Sequence, residues 1–148
     1  MEIKNKKANF EYFILDKIEC GIELKGTEIK SLRKGSADIK DSFGVIKNNE
    51  VYILNMYIAK YEEGNRFNHD ERRTRKLLLH KKEINKLRKE KEMDGVTLIP
   101  LSVYFKNNYA KVLLGICKGK KLYDKRETIK KRDLEREARI WYLDIKEN

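Results

Sequence analysis

The chain has 148 residues, which is enough for one packed domain and too few for two. Its 35 Lys and Arg residues against 24 Asp and Glu residues give a formal charge of +11, and such a field on a small surface favours a polyanionic partner. No stretch approaches the roughly 20 apolar residues that span a bilayer, and the basic start lacks the apolar segment of a signal peptide. We therefore expect a cytoplasmic protein that does not contact a membrane.

The first apolar segment is residues 11–24, which are rich in aromatic and β-branched side chains. Gly21 interrupts this segment, so it predicts either two strands or one bent strand. In the polar stretch that follows, Thr27 can cap a helix of about two turns and Gly35 can end it. The chain is thus expected to begin with sheet and a short helix.

Two or three further strands are predicted in residues 43–59, around a turn at Asn48 and Asn49. Asparagine tolerates the positive φ that tight hairpin turns require. Residues 62–74 contain almost no apolar side chains and many charges, a composition that predicts a mobile surface loop. The apolar pattern resumes after this loop.

An amphipathic helix is predicted over residues 81–93, because Ile84 and Leu87 fall on one face. Residues 96–105 and 109–117 follow it as a second predicted hairpin. Helices that stand between short strands, without alternating one for one, disfavour a parallel sheet. The pattern instead favours a small closed antiparallel barrel.

The predicted architecture is mainly β with peripheral helices: an OB-like closed antiparallel β-barrel over residues 1–117, followed by a basic C-terminal tail over residues 118–148. The tail is dense in like charges and carries one thin apolar stripe. We expect it to be disordered when free and helical when a partner supplies a surface. A terminal helix docked on the barrel through Trp141 is the alternative that the sequence leaves open.

No group of residues points to catalysis, since the chain shows no nucleophile beside a base and no phosphate-binding loop. His69 lies in the polar loop and His80 stands beside lysines, positions typical of solvated histidines. Cys20 and Cys117 lie in apolar, strand-like runs. With the two histidines they could supply four zinc ligands, but their spacing matches no closed zinc site. We therefore predict reduced core thiols, no metal, no cofactor and no enzymatic activity.

Basic clusters recur along the chain, and their contacts with phosphates would release counterions and make binding salt-dependent. Aromatic side chains among them could stack on unpaired bases, although most aromatic residues of strands belong to a core. The stacking candidates are Tyr12, Phe43, Tyr104 and Tyr123. Composition thus favours RNA binding over a merely solvated basic face.

Seven sequence blocks occur in an order typical of one known family. They are NKKA from residue 5, IECGI from 18, GTEIKSLRKG from 26, DSF from 41, RTRKLLLHK from 73, GKK from 119 and DKR from 124. In this order and at this spacing they resemble the SmpB family, the SsrA-binding proteins of bacterial trans-translation. The resemblance spans nearly the whole chain.

The resemblance implies a monomer that holds the tRNA-like domain of transfer-messenger RNA (tmRNA). It further implies delivery of that RNA, with elongation factor Tu, to ribosomes stalled on mRNA without a stop codon. By their matching positions, eight residues of the barrel would bind tmRNA: Asn5, Glu19, Lys30, Arg33, Arg75, Lys76, Leu78 and His80. Four of them would meet phosphates, namely Lys30, Arg33, Arg75 and Lys76. The other four would meet the elbow of the tRNA-like domain.

For the tail, the resemblance implies entry into the vacant mRNA channel and folding into a helix near the ribosomal decoding centre. A cationic segment that fits only an unoccupied channel can report stalling. The residues implied in ribosome binding are Lys120, Lys121, Tyr123, Asp124, Lys125, Arg126, Lys130, Lys131, Arg132, Ile140 and Trp141. Composition alone also allows a generic OB-type ribosomal or ribosome-assembly protein, or an RNA-modifying or RNA-cleaving enzyme.

Overall fold

The computed structural model describes residues 2–63 and 68–120. Within these residues the chain forms nine strands and three helices. In chain order they are β1 (Glu2–Lys4), α1 (Ala8–Glu11), β2 (Tyr12–Ile22), α2 (Gly26–Arg33), β3 (Ala37–Asp38), β4 (Phe43–Lys47), β5 (Glu50–Leu54), β6 (Tyr57–Ile58), β7 (Arg75–Leu78), α3 (Lys81–Lys91), β8 (Val96–Lys106) and β9 (Tyr109–Gly119). No helix in these two stretches has the length and hydropathy that crossing a bilayer requires.

Seven strands form one sheet in the order β1-β8-β4-β5-β7-β2-β9, and all of their pairings are antiparallel. β8 also pairs with β9, so six of these strands each have at least two neighbours, and β8 has three. β3 and β6 form a separate two-stranded sheet. The predicted mainly β class with peripheral helices is confirmed, while β1 and α1 precede the first strand that the sequence predicted.

Both predicted hairpin turns are formed by paired asparagines. Asn48 and Asn49 have φ values of 52° and 62°, and Asn107 and Asn108 have values of 52° and 66°. Each pair separates two strands in direct register, which is the geometry of a two-residue hairpin turn. The predicted turn positions are therefore confirmed, and they set the register of β4 with β5 and of β8 with β9.

β2 is one continuous strand, and its irregularity does not lie at Gly21. Its pairing with β9 shifts register between Ile14 and Asp16, so the additional residue is Leu15. Gly21 is instead a place of close approach, because a Cβ atom there would lie 3.2 Å from Cβ of Leu78 on β7. Because Gly21 has no side chain, Leu78 of β7 can lie across β2 at this position.

The main core lies between the strands and is closed by two helices. Buried side chains recur at every second position of β9, at Val112, Leu114 and Ile116, as a strand with one buried face requires. Leu32 of α2 and Leu87 of α3 are both fully buried in the same core. Burial of each such side chain stabilises the fold by about 1.5–3 kcal/mol.

A second, smaller cluster lies on the other side of β9, where Cys117 packs with Ala8 of α1 and Ile99 of β8. Cys20 belongs to the main core, so the two thiols occupy separate clusters, and both are free. Burial raises the pKa of Cys20 to about 12 and that of Cys117 to about 11. Both cysteines are therefore buried thiols, as predicted.

α2 ends as the sequence predicted but begins differently. Gly35 has a φ of 76° and its N–H donates to the carbonyl of Leu32 at 2.9 Å, which ends the helix. The predicted Thr27 cap is wrong, because Lys25 occupies the cap position and its N–H donates to Glu28 Oε1 at 2.7 Å. The Thr27 hydroxyl is engaged elsewhere, at 2.8 Å from Nδ1 of His69.

The predicted loop of residues 62–74 is anchored over its second half. His69 is only 2% exposed, with Nε2 donating to the carbonyl of Ile58 at 2.9 Å. The backbone carbonyl of Glu71 accepts a hydrogen bond from the N–H of Ile58, also at 2.9 Å. The prediction of a solvated His69 is therefore wrong, because polar partners inside the fold satisfy both ring nitrogens. Residues 64–67 lie outside the described chain.

Candidate nucleic-acid interface

One face of the main sheet presents a row of residues from five strands. Directly paired residues of antiparallel strands share a face, and the pairings join β1, β8, β9, β2 and β7 in that order. The row consists of Glu2, Tyr104, Lys111, Gly21 and Leu78. The next row along the strands runs through Lys4, Ser102, Leu113 and Glu19. Glu19 and Leu78, which are 59 positions apart in the sequence, therefore lie on one outer surface. We call the surface formed by these two rows the Glu19 face.

Glu19 is an exposed carboxylate held by neighbouring side chains. The Tyr104 hydroxyl donates to Glu19 Oε2, and Nζ of Lys106 lies 3.5 Å from Oε1. The hydrogen bond from Tyr104 holds the pKa of Glu19 below its usual value, and the charges of Lys106 and Lys111 act in the same direction. Glu19 is therefore an anion at neutral pH, with its carboxylate oriented on a basic surface.

Tyr104 remains a hydrogen-bond donor over the physiological range. Burial, together with the hydrogen bond to Glu19 and the charge of its carboxylate, raises the pKa of its phenol to about 12. Tyr104 was expected to offer a stacking face, but the bond between its hydroxyl and Glu19 was not predicted. The two residues are 85 positions apart, and no local pattern indicates their contact.

Leu78 and His80 lie at the edge of the Glu19 face where β7 leads into α3. Leu78 is 46% exposed, which is unusual for a leucine in a strand of the main sheet. His80 is exposed and precedes α3, and its N–H donates to Glu83 Oε1 at 2.9 Å. Continued by two residues, the register that pairs Gly21 with Leu78 would bring His80 level with Glu19.

Two predicted phosphate ligands, Lys30 and Arg33, lie on the exposed side of α2. The ammonium of Lys30 is 5.5 Å from the centroid of the Tyr61 ring, and the guanidinium of Arg33 is 4.3 Å from that of Phe105. These cation–π contacts orient the charges without neutralising them. Both cations therefore remain available to an anionic ligand.

Lys76 lies on β7, where its ammonium is 3.6 Å from Glu50 Oε2. Its side chain is one-third exposed, so the ion pair is solvated and contributes little to stability. A phosphate could therefore displace Glu50 from Lys76 with little loss of folding stability.

The predicted phosphate contact of Arg75 is wrong. The side chain is fully buried, and its Nε donates to Glu28 Oε2 at 2.7 Å. Its remaining donors reach the carbonyls of Met56 at 2.6 Å and Glu71 at 3.2 Å. A guanidinium with its donors committed inside the fold cannot also bind a phosphate at the surface. Arg72 of the same segment is exposed, and the sequence alone does not distinguish it from the buried Arg75.

Asn5 is also buried rather than exposed, with 6% of its surface accessible. Its Nδ2 donates to the carbonyls of Pro100 at 3.0 Å and Ile39 at 3.3 Å, and its own N–H donates to the carbonyl of Leu101. These bonds attach the segment before α1 to β8. The predicted surface position of Asn5 is therefore wrong, because its side chain is used inside the fold.

Of the tail residues predicted to bind the ribosome, only Lys120 lies in the described chain. Its ammonium donates to the carbonyl of Asn9 at 2.7 Å and lies 5.2 Å from the ring centroid of Phe13. β9 continues through Lys118 to Gly119, two residues past the predicted end of the barrel. The remaining tail predictions, from Lys121 to Trp141, and the stacking candidate Tyr123 lie outside the described residues.

The described residues contain no group of three or more His, Cys, Asp or Glu side chains that could hold a metal ion. The other two stacking candidates differ in exposure. Tyr12 packs against the second core cluster, whereas Phe43 is 39% exposed on β4. The interface is thus built from Glu19 with its hydrogen-bonding neighbours, the exposed Leu78 and His80, and surrounding lysines and arginines.

Comparisons with known proteins identify close relatives over almost the whole chain. The family described as SmpB protein matches residues 2–142. The SsrA-binding protein of Bacillus subtilis (strain 168) is 57% identical over 141 residues, covering 95% of this chain and 90% of the relative. That of Borreliella afzelii (strain PKo) is 55% identical and covers 93% and 94%. A solved structure described as "tmRNA-SmpB: a journey to the center of the bacterial ribosome" contains a chain 48% identical, with a TM-score of 0.72 and 93% of each chain covered.

Proposed function

Because the chain belongs to the SmpB family, we propose that it is an SsrA-binding protein, which binds the tRNA-like domain of tmRNA and acts with it on stalled ribosomes in trans-translation. The observation that carries this proposal is the Glu19 face, where one oriented carboxylate stands among cations beside an exposed leucine and histidine. Cations alone would suit any polyanion. A fixed carboxylate among them selects a ligand that offers hydrogen-bond donors.

RNA offers such donors at base edges and at the 2′-hydroxyl. Glu19 would accept one of these hydrogen bonds, while Leu78 would pack against a base or ribose and His80 would supply a ring nitrogen. Lys30, Arg33 and Lys76 would neutralise phosphates around this centre. In this arrangement the cations supply most of the affinity, and the Glu19 face selects a folded RNA with an unstacked nucleotide.

We infer that β8, β4, β5, β7, β2 and β9 form an OB-like closed barrel, since the pairing of β8 with β9 joins the two ends of this six-strand run. A closed barrel would explain how Glu19 on β2 and Tyr104 on β8 come together across β9. It would also leave no long edge strand exposed among these six.

The remaining parts of the proposed function concern the tail and the partners. Residues 118–148 would be disordered when free and would fold into a helix in the empty mRNA channel near the decoding centre. Elongation factor Tu would contact the complex through tmRNA, and the protein would act as a cytoplasmic monomer. It would catalyse no reaction of its own.

Replacement of Glu19 by alanine tests the proposal. The E19A variant should bind a transcript of the tRNA-like domain about tenfold to a hundredfold more weakly, which corresponds to loss of one charge-assisted hydrogen bond. Its melting temperature should stay the same because Glu19 is exposed. The matched control is E62A, another exposed glutamate, which should bind as the unmodified protein does.

The RNA that copurifies with the tagged protein provides the second measurement. Enrichment of an RNA with both tRNA-like and coding parts is expected. Recovery of ribosomal RNA fragments alone, together with equal affinity for the tRNA-like domain and an unstructured RNA of the same length, would contradict the proposed function.

A further inference from the structure

α3 carries an uncompensated excess of positive charge on the side that faces solvent. Six of its eleven residues are Lys or Arg and two are Glu, which gives a net charge of +4. Ile84 and Leu87 are buried in the main core and fix which side of the helix faces inward. Residues spaced by three, four or seven positions share a helix face, so Lys82, Lys86 and Lys89 form a line opposite the two buried residues. We call this line the α3 lysine row.

Within the part of the chain that the structure describes, two of the three lysines in the row form no ion pair. Lys86 pairs with Asp16 at 3.0 Å, but Lys82 and Lys89 form no ion pair within residues 2–63 and 68–120. Like charges at these spacings destabilise a helix. A lysine in the first turn also opposes the helix dipole, and Lys82 is the second residue of α3. Only Lys89, in the last turn, is placed favourably for the dipole, so the row as a whole contributes little to stabilising α3, and another role explains its composition better.

The lysine row flanks the Glu19 face. α3 begins immediately after His80, and the ion pair of Lys86 with Asp16 attaches the helix to β2. Asp16 and Glu19 are three residues apart on that strand, so their side chains point to opposite faces of the sheet, and α3 adjoins the Glu19 face through His80, which would lie level with Glu19. Lys82 and Lys89 are separated by about 10 Å along the helix axis. An RNA backbone that passes His80 on the Glu19 face would therefore reach Lys82 first and then Lys89 along the helix.

We propose that the α3 lysine row is a second contact surface for the sugar–phosphate backbone of the RNA that binds the Glu19 face. This inference rests on the proposed function and adds a surface that none of the sequence blocks in the interface contains. A helix that presents regularly spaced ammonium groups suits phosphates and carries no base specificity. The row would thus contribute affinity and orientation, while the Glu19 face contributes selection.

The test is the salt dependence of binding by the full chain, with a transcript of the tRNA-like domain as the probe. Each lost phosphate contact reduces the slope of log affinity against log salt by about 0.7–0.9, so K82Q/K89Q should lower its magnitude by about 1.4–1.8 between roughly 50 and 200 mM salt. The matched control is K40Q/K60Q, which removes the same charge beside the two-stranded sheet of β3 and β6. That pair should leave the slope nearly unchanged.

Thermal melting of the same variants separates a functional role from a structural one. K82Q/K89Q should melt at the same or a higher temperature, because it removes like-charge repulsion from the helix. K82R/K89R should retain the slope of the unmodified protein. An unchanged slope in K82Q/K89Q, or an equal reduction in K40Q/K60Q, would overturn the inference while leaving the proposed function intact. If the unmodified protein shows no preference for the tRNA-like probe over unstructured RNA, both proposals fail.

Discussion

Glu28 is the residue that joins α2 to the segment before β7. It is fully buried and accepts hydrogen bonds from Arg73 at 2.6 Å, from Arg75 at 2.7 Å and from the N–H of Lys25. Burial alone would raise its pKa, but the hydrogen bonds from Arg73, Lys25 and Arg75 outweigh burial and lower the pKa overall. The Glu28 carboxylate therefore forms ion pairs with two guanidinium groups and also accepts the hydrogen bond that caps the start of α2.

Replacement of Glu28 by alanine should lower the free energy of unfolding by about 3–5 kcal/mol, because it leaves the buried charge of Arg75 without a partner. Urea denaturation followed by circular dichroism measures this change. The control is E23A, an exposed glutamate near α2, which should lie within about 0.5 kcal/mol of the unmodified protein. Equal stability of E28A and E23A would contradict the account of this network.

The same residue predicts the direction of a pH dependence. The folded-state pKa of Glu28 lies below its ordinary value of 4.5, so its contribution to stability is complete above about pH 4.5. That contribution is lost as the pH falls through the lower folded-state pKa. Urea midpoints measured from pH 7 down to pH 3 should fall more for the unmodified protein than for E28Q, which has no carboxylate to protonate.

Tyr104 positions Glu19, and Tyr104→Phe isolates that role. The variant should raise the pKa of Glu19 toward its ordinary value, because it removes the hydrogen bond that contributes most to lowering it. NMR titration of the Glu19 carboxyl carbon measures the pKa, and RNA affinity should fall in parallel. Y109F is the matched control, since Tyr109 is 71% exposed on the adjacent strand. A Glu19 pKa that is identical in Y104F and the unmodified protein would exclude the positioning role.

At the scale of elements, the long hairpin of β8 and β9 depends on a close approach at Gly115. A Cβ atom there would lie 2.9 Å from both Cγ and Cδ1 of Leu101 and 3.1 Å from Sγ of Cys117. At Gly119, by contrast, no atom of the described residues lies within 4 Å of an added Cβ. Packing therefore requires a glycine at position 115 of β9 but not at position 119.

Replacement of Gly115 by alanine should lower the free energy of unfolding by about 1–3 kcal/mol through overpacking of the second core cluster. G119A on the same strand is the control and should change it by less than about 0.5 kcal/mol. Chemical denaturation of both variants provides the comparison. If G115A were as stable as G119A, Leu101 would have to move aside without cost.

At the scale of the whole molecule, the body and the tail are proposed to perform separate tasks. The strand β9 ends at Gly119, and Lys120 still contacts the carbonyl of Asn9. A truncation that preserves the body should therefore end after Lys120. One that removes Lys118 and Gly119 would also remove their pairing with Phe13 and Tyr12.

Deletion of residues 121–148 should leave binding to the tRNA-like domain within about twofold of the full chain, because the Glu19 face and α3 are retained. It should abolish tagging of stalled products in a reconstituted translation reaction. Melting of the truncated protein provides the control for folding. Loss of RNA binding by a truncated chain that still folds would show that the two tasks are not separate.

How much of this molecule could be predicted differs between the elements and the contacts. The hairpin turns at Asn48–Asn49 and Asn107–Asn108 and the buried face of α3 follow from residues close together in the chain. The SmpB resemblance indicated Glu19, Leu78 and His80 as site residues, and the structure leaves all three exposed. The roles of Arg75 and Asn5 were predicted wrongly, because a motif match conveys which residue stands at a position and not whether its side chain points outward.

The sequence by itself determined the mainly β class, the positions of the two hairpin turns and of α2 and α3, and the attraction for a polyanion, because turn propensity, hydrophobic period and net charge are local or summed properties. Only the tertiary structure decided which charges remain free. Glu28 and Arg75 are 47 positions apart, and Glu19 and Tyr104 are 85 apart. Burial turns the first pair into a support of the fold, whereas exposure leaves the second at the surface. That choice depends on how the strands pair, which no short stretch of sequence contains.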